Sequence, residues 1–585
     1  MKLSKHTCTL GIHVDTHDSG AALVENGKIV AAINEERLSR IKLDGSIPWK
    51  SIEEVLRISN KNYSDIDIIA FTGFKPGLKK MLYFFWHQMG RIVYTRGKSL
   101  KSFLTTGIIK DRGRFLKQTG ISGLIRSRYV NNGIRKIIKY FYKKNFTGQI
   151  KFVNHDLCHA ASAYYTSGHN EAFVAIIEGS SFSNSWSFWS GSGGQLNKIH
   201  EIPTLHSAGN FYELITLLLG FDPKCHAGKI TGLAGFGNPD TCYEIIKPLL
   251  VVKNISVVSS PKLYTYADEY HKNGKRIPKD LEKFSKEDLA AAFQKRLEEV
   301  IIEVLNNFTK NETIKHLVLA GGVTANVKLN MEITNSLNIE DIYIHPGMGD
   351  VGQALGAALS TYSKYNSNLK PFKLDNVYFG PEFTEEEIEK ELNKNNLEFT
   401  KEEDISKSVA NLLAQNKVIA FFQGRMEYGP RALGNRSILY PATDPKVNNW
   451  LNKRLGRTEF MPFAPVTLLE RASDCYLEED LKKSYYTSQF MTIALHVTDY
   501  MKNNMPAAVH IDGTARPQLI SEENNKVYYQ VLKEYENKTG LPSLINTSFN
   551  MHGEPIVCSP KEAIKAFLLS SLDALAIGNY LVKKA

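Results

Sequence analysis

The sequence is poor in the features that mark secreted or membrane-embedded proteins. It has only six cysteines in 585 residues, and they lie far apart without a CxxC pair, which argues against a disulfide framework or a zinc knuckle. No run approaches the roughly 18 uninterrupted apolar residues of a membrane span. Residues 1–10 lack the apolar core and the small-residue cleavage site of a signal peptide. These absences predict a cytoplasmic protein with reduced thiols.

Acidic residues are nearly absent from one segment. Residues 75–144 contain 18 Lys and Arg but one acid, Asp111, so the segment carries +17 while the whole chain carries +11. The basicity is therefore local. Its cations alternate with aromatic and apolar residues, which predicts an insertion that contacts an anionic membrane surface or another anionic partner and makes the protein membrane-peripheral. A helical subdomain with solvated lysines is the alternative, and these residues alone also leave single-stranded nucleic acid open.

Strand-like and helical patterns alternate along the chain, which predicts an α/β fold. The Asn26-Gly27 dipeptide between two apolar runs predicts a β-hairpin. The clearest helical pattern spans residues 285–308, where apolar residues recur at helical spacing after Ser285. Strands are predicted at residues 7–14, 21–24, 28–33, 66–71, 172–177, 316–319 and 342–344.

The chain is too long for one compact domain. Around residues 363–368 the sequence becomes polar and irregular. A second α/β block follows, with a helix at 405–415 and a strand at 417–422. We therefore predict one domain of residues 1–365 and a second of residues 366–585.

Four residues are candidate metal ligands. His155 and His159 lie four residues apart in a helix-compatible segment, so both imidazoles face the same side, as a metal ion requires. Glu178 ends a strand and Asp350 lies in a Gly-rich turn before a helix, and carboxylates in such places are typical of catalytic loops. From the residues alone, the histidines could equally be surface residues and the carboxylates turn formers or helix caps.

The Gly321-Gly322 pair follows a predicted strand and precedes helix-compatible residues near Asn326. Paired glycines let a backbone approach a phosphate or ribose closely, and the N-terminus of a following helix favours anions. No Lys-Ser or Lys-Thr follows, so this is not a Walker loop. The segment is a candidate nucleotide-binding loop, with a tight turn as the alternative.

Arginines interleaved with glycines dominate the start of the second block. Arg425, Arg431 and Arg436 follow a strand, and forked guanidiniums on short loops suit bidentate phosphate recognition. Surface salt bridges are the alternative role. Further polar groups in similar loops or just after a strand are Lys453, Arg516, Asn546 and Ser548.

Nine sequence blocks follow one another over almost the whole chain. They are residues 11–37 with Glu35-Glu36-Arg37, the His155/His159 segment, and residues 228–234, 321–323, 349–350, 429–436, 462–465, 512–516 and 546–550. In this order and register they resemble the NodU/CmcH-type O-carbamoyltransferase family. One such block could arise by chance, but nine in register could not.

The resemblance implies an actin- and sugar-kinase-like first domain, similar to the threonylcarbamoyl transferases of tRNA modification, and a YrdC-like α/β second domain. In this family the second domain uses carbamoyl phosphate and ATP, with Mg²⁺, to form carbamoyl adenylate, and it releases phosphate and pyrophosphate. The carbamoyl group passes inside the protein to the first domain. There a divalent metal ion, Fe²⁺ in the family, helps a hydroxyl of a sugar, glycan or natural product to attack it. Enclosed transfer protects the activated group from hydrolysis.

The resemblance also implies roles for individual residues. His17 and Lys42 match positions near the acceptor, as general base and electrostatic stabiliser, although either could make only a structural hydrogen bond. The metal is expected on His155, His159, Glu178 and Asp350. The nucleotide is expected on Gly321, Gly322, Asn326, Lys453 and Ser548. Carbamoyl phosphate is expected on Arg425, Arg431, Arg516 and Asn546.

Three residues depart from the family pattern. Glu178 replaces the usual Asp, Ala227 replaces a Glu, and Met461 replaces an Arg before Pro-Phe-Ala-Pro. The last two remove charges near substrate sites, so they put the identity of the substrate in doubt. Two other functions stay open: tRNA threonylcarbamoyl-type transfer, and a catalytically weakened nucleotide-binding interaction protein. The family implies no nucleic-acid partner, and the sequence leaves the oligomeric state open, a homodimer included.

Overall fold

The structure is a computed structural model that describes residues 7–73, 121–179, 184–310, 314–366, 369–456 and 462–584, with residues 121–127 described by their backbone alone. Residues 75–120 of the predicted insertion and the departing residue Met461 therefore lie outside the described residues. Within the described part, no helix combines the length and the apolar character needed to cross a bilayer.

The first half begins with a mixed five-stranded sheet. Its strands are β1 (Cys8–His13), β2 (Gly20–Glu25), β3 (Lys28–Asn34), β4 (Ile68–Thr72) and β5 (Gln149–Val153). They lie in the order β3-β2-β1-β4-β5, with β1 antiparallel to β2 and parallel to β4. Asn26 and Gly27 have φ values of 53° and 82°, the left-handed values that a tight two-residue turn requires, so the predicted hairpin is confirmed.

A second five-stranded sheet follows. The strands that come next are β6 (Glu171–Ile177), β7 (Asn184–Ser192), β8 (Gln195–Pro203), β9 (Leu250–Lys253), β10 (Ser256–Ser259), β11 (His316–Ala320) and β12 (Asp341–Ile344). The sheet has the order β12-β11-β6-β7-β8, and β9 and β10 form a separate hairpin. Because β11 is parallel to both β6 and β12, the residues that follow these three strands lie along one edge.

The helices of this half pack on both sheets. They are α1 (Glu35–Ser39), α2 (Trp49–Ile58), α3 (Ile121–Lys143), α4 (His155–Tyr165), α5 (Ala208–Leu218), α6 (Ala227–Ala234), α7 (Tyr243–Ile246), α8 (Pro261–Lys272), α9 (Lys286–Thr309), α10 (Val327–Ser336) and α11 (Gln353–Tyr365). Helix α9, capped by Ser285, confirms the clearest predicted helix. Helix α11 touches its neighbours backbone to backbone: a Cβ added at Gly11 would come within 1.9 Å of the Ala354 carbonyl oxygen, and one at Gly356 within 1.8 Å of that of Cys158. Glycine at these positions therefore holds α4 close to the first sheet.

Within the described residues, the second half has ten strands, eight of which form one sheet. Its strands are β13 (Thr400–Lys401), β14 (Ile419–Phe422), β15 (Arg436–Pro441), β16 (Ala464–Leu468), β17 (Leu495–His496), β18 (Thr514–Ala515), β19 (Gln518–Ile520), β20 (Ser543–Ser548), β21 (Ala574–Ile577) and β22 (Tyr580–Lys583). The order is β13-β22-β21-β14-β15-β20-β16-β19, while β17 and β18 pair separately. The helices are α12 (Glu385–Lys394), α13 (Ile405–Ala414), α14 (Val447–Arg454), α15 (Ala472–Cys475), α16 (Glu478–Ser484), α17 (Asp499–Asn504), α18 (Lys526–Thr539) and α19 (Pro560–Leu569). The predicted helix at 405–415 and strand at 417–422 are present as α13 and β14.

The two halves share part of their hydrophobic core. One cluster of buried apolar residues includes Phe293 and Leu319 from the first half and Ile438 and Ile545 from the second. Helix α11 ends at Tyr365. The domain boundary near this residue remains a prediction, because both halves contribute to the same core.

Candidate functional site

Four side chains converge where strands and helices of the first half end. Helix α4 carries both histidines, Glu178 follows β6, and Asp350 begins the short turn before α11. The Nε2 atom of His155 lies 3.1 Å from Glu178 Oε2 and 3.3 Å from Asp350 Oδ1. The Nε2 atom of His159 lies 2.5 Å from Glu178 Oε1 and 3.2 Å from Asp350 Oδ1. The four predicted metal ligands therefore meet at one point, with little exposure to solvent.

The charges in this group oppose the effect of burial. Burial alone would keep His155 neutral, but the carboxylates of Asp350 and Glu178 raise its pKa well above the usual value. The same carboxylates raise the pKa of His159, again against its burial. In return the two imidazoles lower the pKa of Glu178 and that of Asp350, although burial would raise both. Without a metal ion, these mutual effects favour the charged forms of the imidazoles and of the carboxylates.

The donor set fits a divalent transition-metal ion. Imidazole nitrogens and carboxylate oxygens together are ligands for iron-type, manganese and zinc ions. The four ligand atoms lie within 4.8 Å of one another, so a central ion about 2 Å from each needs only small side-chain movements. The Gln353 side chain donates a hydrogen bond of 3.1 Å to the His155 carbonyl oxygen, which ties the start of α4 to α11.

His13 is a residue of this site that the sequence analysis missed. Its ring lies 6.4 Å from that of His155, and its Nδ1 lies 2.6 Å from Thr72 Oγ1. Burial lowers the pKa of His13 to about 4, so its imidazole is neutral at pH 7. Its buried Nε2 has no hydrogen-bond partner among the described residues. The alternation of His13, Asp15 and His17 at the end of β1 is the signal that could have identified it.

The two residues expected near the acceptor lie in different environments. His17 Nδ1 lies 3.0 Å from Asp18 Oδ2 and 3.7 Å from Asp350 Oδ2. The hydrogen bond to Asp18 and the charge of Asp350 raise the pKa of His17, although burial opposes this. Lys42 is exposed between α1 and α2, and its charge, like that of Asp18, acts on Cys225. His17 is therefore next to the metal-binding group, whereas Lys42 is exposed to solvent.

The predicted nucleotide loop lies at the end of β11. Gly321 has a φ of 99°, and a Cβ there would come within 2.3 Å of the Ile177 carbonyl oxygen, so only glycine fits. A Cβ at Gly322 would meet nothing within 4 Å, which leaves this backbone open to a ligand. Asn326 caps α10 and donates from Nδ2 to Gln294 Oε1 at 2.9 Å.

The loop adjoins a buried polar network on α9. The Gln294 side chain donates to Glu298 Oε1 at 2.7 Å and accepts from Tyr212 OH at 2.5 Å. Burial raises the pKa of Glu298 to about 7. Glu298 is a second residue near the site that the sequence analysis missed. Its surroundings are formed by three separate segments of the chain, which carry Tyr212, Gln294 and Asn326.

The strand register gathers four of the predicted phosphate-binding residues at one edge of the eight-stranded sheet. Arg431 precedes β15, Arg516 precedes β19, and Asn546 and Ser548 end β20. Because β20 is antiparallel to β15 and β16, and β16 is parallel to β19, the starts of β15 and β19 share an edge with the end of β20. Asn546 Nδ2 also donates to the Ala432 carbonyl oxygen, directly next to Arg431.

The other predicted cations of the second half lie elsewhere. Arg436 is fully buried over the Phe422 ring and donates to backbone carbonyl groups of residues 381, 423, 424, 435 and 558. Arg425 donates to the carbonyl groups of Val30, Phe379 and Gly380. Lys453 is exposed on α14. The contacts give Arg425 and Arg436 structural roles, and carbamoyl phosphate binding by Arg425 stays a prediction.

The glycine- and arginine-rich segment of residues 423–437 contacts the loop that carries Asp350. Tyr428 OH lies 3.2 Å from His345 Nε2, five residues before Asp350. Arg37 Nη2 donates to the Gly429 carbonyl oxygen at 3.0 Å. Three sequence blocks that are far apart along the chain therefore form one contact region between the two halves.

Two of the three departures from the family pattern can be located. The arm of Glu178 reaches both histidines, one through each carboxylate oxygen. Ala227 begins α6, and the nearby Lys229 is buried with its Nζ 5.6 Å from the centre of the Phe221 ring. The third, Met461, lies outside the described residues.

A second group of potential ligands lies at the starts of β11 and β12, away from the first. His316 Nδ1 lies 2.8 Å from Asp341 Oδ1, and His169 Nε2 lies 3.2 Å from Asp341 Oδ2. The two rings stack with their centroids 4.1 Å apart and an interplanar angle of 9°. The nitrogen lone pairs of the two rings therefore lie in separate, nearly parallel planes and do not converge on one ion. Hydrogen bonding to the shared carboxylate accounts for this arrangement.

Comparison with known proteins identifies the family. Residues 8–359 match the model described as Carbamoyltransferase N-terminus, and residues 410–584 match Carbamoyltransferase C-terminus. The chain belongs to the carbamoyltransferase family. An uncharacterized protein of Synechocystis, sll1178, is 31% identical to it over 99% of this chain and 97% of its own length. Nodulation protein NolNO of Sinorhizobium fredii is 31% identical over 97% of this chain and 79% of its own. The predicted family and enzyme class are confirmed.

The likeness of this carbamoyltransferase to solved structures is weak. The ROK hexokinase from Thermus thermophilus is 12% identical with a TM-score of 0.29, over 61% of this chain and 99% of the hexokinase. The structure shows mixed α/β sheets in both halves, and a sugar-kinase-like first domain and a YrdC-like second domain remain predictions.

Proposed function

We propose that this carbamoyltransferase forms carbamoyl adenylate from carbamoyl phosphate and ATP in its second half and transfers the carbamoyl group, in its first half, to a hydroxyl of a sugar, glycan or natural product. The observation that carries the proposal is the convergence of His155, His159, Glu178 and Asp350 beside His17. We further propose that the first half, to about residue 365, is sugar-kinase-like and that the second is YrdC-like.

The activation step would use the edge of the eight-stranded sheet. Water hydrolyses carbamoyl phosphate to carbamate and phosphate. A carbamate oxygen then attacks the α-phosphorus of ATP and displaces pyrophosphate as its Mg²⁺ complex. Guanidinium groups of Arg431 and Arg516 suit the phosphate oxygens, and the Asn546 amide suits the carbamoyl group. Lys453 and Ser548 are proposed to contact ATP, and Arg425 is proposed to bind carbamoyl phosphate.

The transfer step would use the first half. His17 takes the proton of the acceptor hydroxyl, whose oxygen bonds to the carbamoyl carbon while the bond to the AMP phosphate oxygen breaks. The raised pKa of His17 makes it a stronger base than an ordinary histidine. Lys42 stabilises negative charge, and Gly321, Gly322 and Asn326 hold the nucleotide. A divalent ion of iron type on the four-residue group would supply a Lewis acid that offsets charge on the reacting oxygen.

The contact between the halves supports an enclosed route between the two steps. Tyr428 lies three residues before Arg431, and its hydroxyl is hydrogen-bonded to His345 on the loop of Asp350. An activated carbamoyl group that moves along this contact avoids bulk water, in which it would hydrolyse.

Pyrophosphate release and carbamoyl transfer can be measured separately. We expect wild-type protein with ATP and carbamoyl phosphate to release pyrophosphate. His155→Ala/His159→Ala should keep this release but lose metal binding and transfer to a hydroxyl acceptor. A matched double variant of the other histidine pair, His169→Ala/His316→Ala, should keep both. Absence of pyrophosphate release in the wild type would refute the proposal and favour an interaction protein, and normal metal binding in the first double variant would refute the metal assignment.

A further inference from the structure

Helix α3 presents a cationic face to solvent. Residues 121–144 contain seven Lys and Arg and no acid. At 100° per residue, the exposed side chains of residues 128–143 fall within an arc of about 140°. They are Arg128, Tyr129, Asn132, Arg135, Lys136, Lys139, Tyr142 and Lys143. Within the part of the chain that the structure describes, none of these cations forms an ion pair.

The opposite face of α3 fixes the helix to the protein. Val130, Ile134, Ile137 and Phe141 are buried in the core of the first sheet. Tyr140 packs edge-on against Trp49 with ring centroids 5.1 Å apart. The two faces are therefore not interchangeable, and the cations point outward in the folded protein.

The N-terminal part of α3 lies against the proposed acceptor site. Tyr129 OH donates to the Gly45 carbonyl oxygen at 3.0 Å. A Cβ added at Gly45 would come within 2.6 Å of the His17 backbone nitrogen, so the loops of these two residues are in contact. A Cβ at Gly133 would lie 3.1 Å from Val14 Cγ1, three residues before His17. The cationic face thus begins next to the residue proposed as general base.

We propose that this exposed face of α3 binds an anionic lipid bilayer and that the acceptor hydroxyl reaches His17 from a membrane-anchored molecule. The inference rests on the proposed acceptor site. From Arg128 to Lys143 the face is about 24 Å long. Its positive charge is complementary to that of anionic lipid headgroups. Tyr129 and Tyr142, 43% and 54% exposed, lie among the cations, as tyrosines do at membrane interfaces.

Vesicle binding by the full chain tests this surface without requiring carbamoyl transfer. We expect the wild type to sediment with phosphatidylserine-containing vesicles but not with pure phosphatidylcholine, and to dissociate at about 0.5 M salt. Each cation near an anionic bilayer increases partitioning roughly fivefold. Lys136→Gln/Lys139→Gln/Lys143→Gln should therefore reduce binding about 100-fold, and the corresponding Glu variant should reduce it further.

The matched control removes the same charge elsewhere. Lys253, Lys272 and Lys279 are also exposed, and their triple Gln variant should bind vesicles like the wild type. All variants should release pyrophosphate normally, and they should melt at the wild-type temperature, which shows that the half carrying α3 is also folded. Equal vesicle binding by the α3 variant and the control, or binding to a soluble polyanion such as heparin but not to vesicles, would overturn the inference. Either result, with normal pyrophosphate release, leaves the proposed reaction intact.

Discussion

Metal binding to the four-residue group should release protons. A coordinating imidazole must be neutral, yet neighbouring carboxylates raise the pKa of His155 well above its usual value and also raise that of His159. Both imidazoles are therefore more protonated at pH 7 than ordinary histidines. We expect an ion to displace protons from them when it binds.

The effect of one carboxylate can be isolated by Glu178→Gln. Each released proton makes the affinity rise tenfold per pH unit, so wild-type affinity should rise with pH around pH 7. In the variant, only Asp350 remains to stabilise an imidazolium, so fewer protons should be released and the affinity should depend less on pH. The affinity should fall by more than the 10–100-fold that follows loss of an outer-shell partner, because Glu178 is expected to contact the ion directly.

Anaerobic titration calorimetry with Mn²⁺ or Fe²⁺ measures both quantities. Repeating the titration in buffers of different ionisation enthalpy gives the number of protons released. Glu201→Gln is the control, since Glu201 is 51% exposed and pairs with Lys198 outside the group. Release of no protons by the wild type at pH 7 would contradict the raised pKa of these histidines. Release of as many protons by Glu178→Gln as by the wild type would show that Glu178 does not stabilise their charged forms.

Three other substitutions test separate parts of the structure. Arg431→Ala should slow pyrophosphate release by about 2–4 kcal/mol in activation free energy, the scale for a charge-assisted contact. Arg471→Ala, at a partly exposed ion pair with Asp474 and Glu536, should not; equal rates would remove Arg431 from the site. Burial raises the pKa of Glu298 to about 7, so the stability from its protonated form is complete below pH 4.5 and lost as pH rises to 7. Glu298→Gln should therefore melt higher than the wild type at pH 8 but similarly at pH 4.5, by thermal denaturation; no difference at pH 8 contradicts the shift. Gly356→Ala places a Cβ against the Cys158 carbonyl oxygen and should destabilise by about 1–3 kcal/mol or more, visible as a lower melting temperature.

Local patterns predicted the elements that depend on neighbours in sequence. The Asn26-Gly27 turn needs only two residues that accept positive φ, and helix α9 needs only apolar residues at helical spacing. The spacing of His155 and His159 placed both on one face because a helix has fixed geometry. These features could be read from the chain because no distant contact decides them.

Distant contacts explain what the sequence did not reveal. Strands β7 and β8 were missed because serine, glycine and asparagine interrupt their apolar residues, and pairing with β6 holds them. His13 gained its place in the site from Thr72, which is 59 residues away. Arg425 resembles a phosphate ligand in sequence, but its guanidinium contacts Val30 O, 395 residues away. Such partners are fixed by the packing of the two halves.

That packing makes one further effect testable at a distance. Arg37 belongs to the first half, is 7% exposed, and donates to the Gly429 carbonyl oxygen, two residues before Arg431. Arg37→Ala would leave this carbonyl group without its charged donor, a loss of about 1–3 kcal/mol, and would loosen the loop of Arg431. Pyrophosphate release should therefore slow although the substitution is in the half proposed for transfer, whereas Arg57→Ala, at an exposed pair on α2, should leave it unchanged. If Arg37→Ala releases pyrophosphate at the wild-type rate, the contact joins the two halves but does not hold the loop of Arg431 in place.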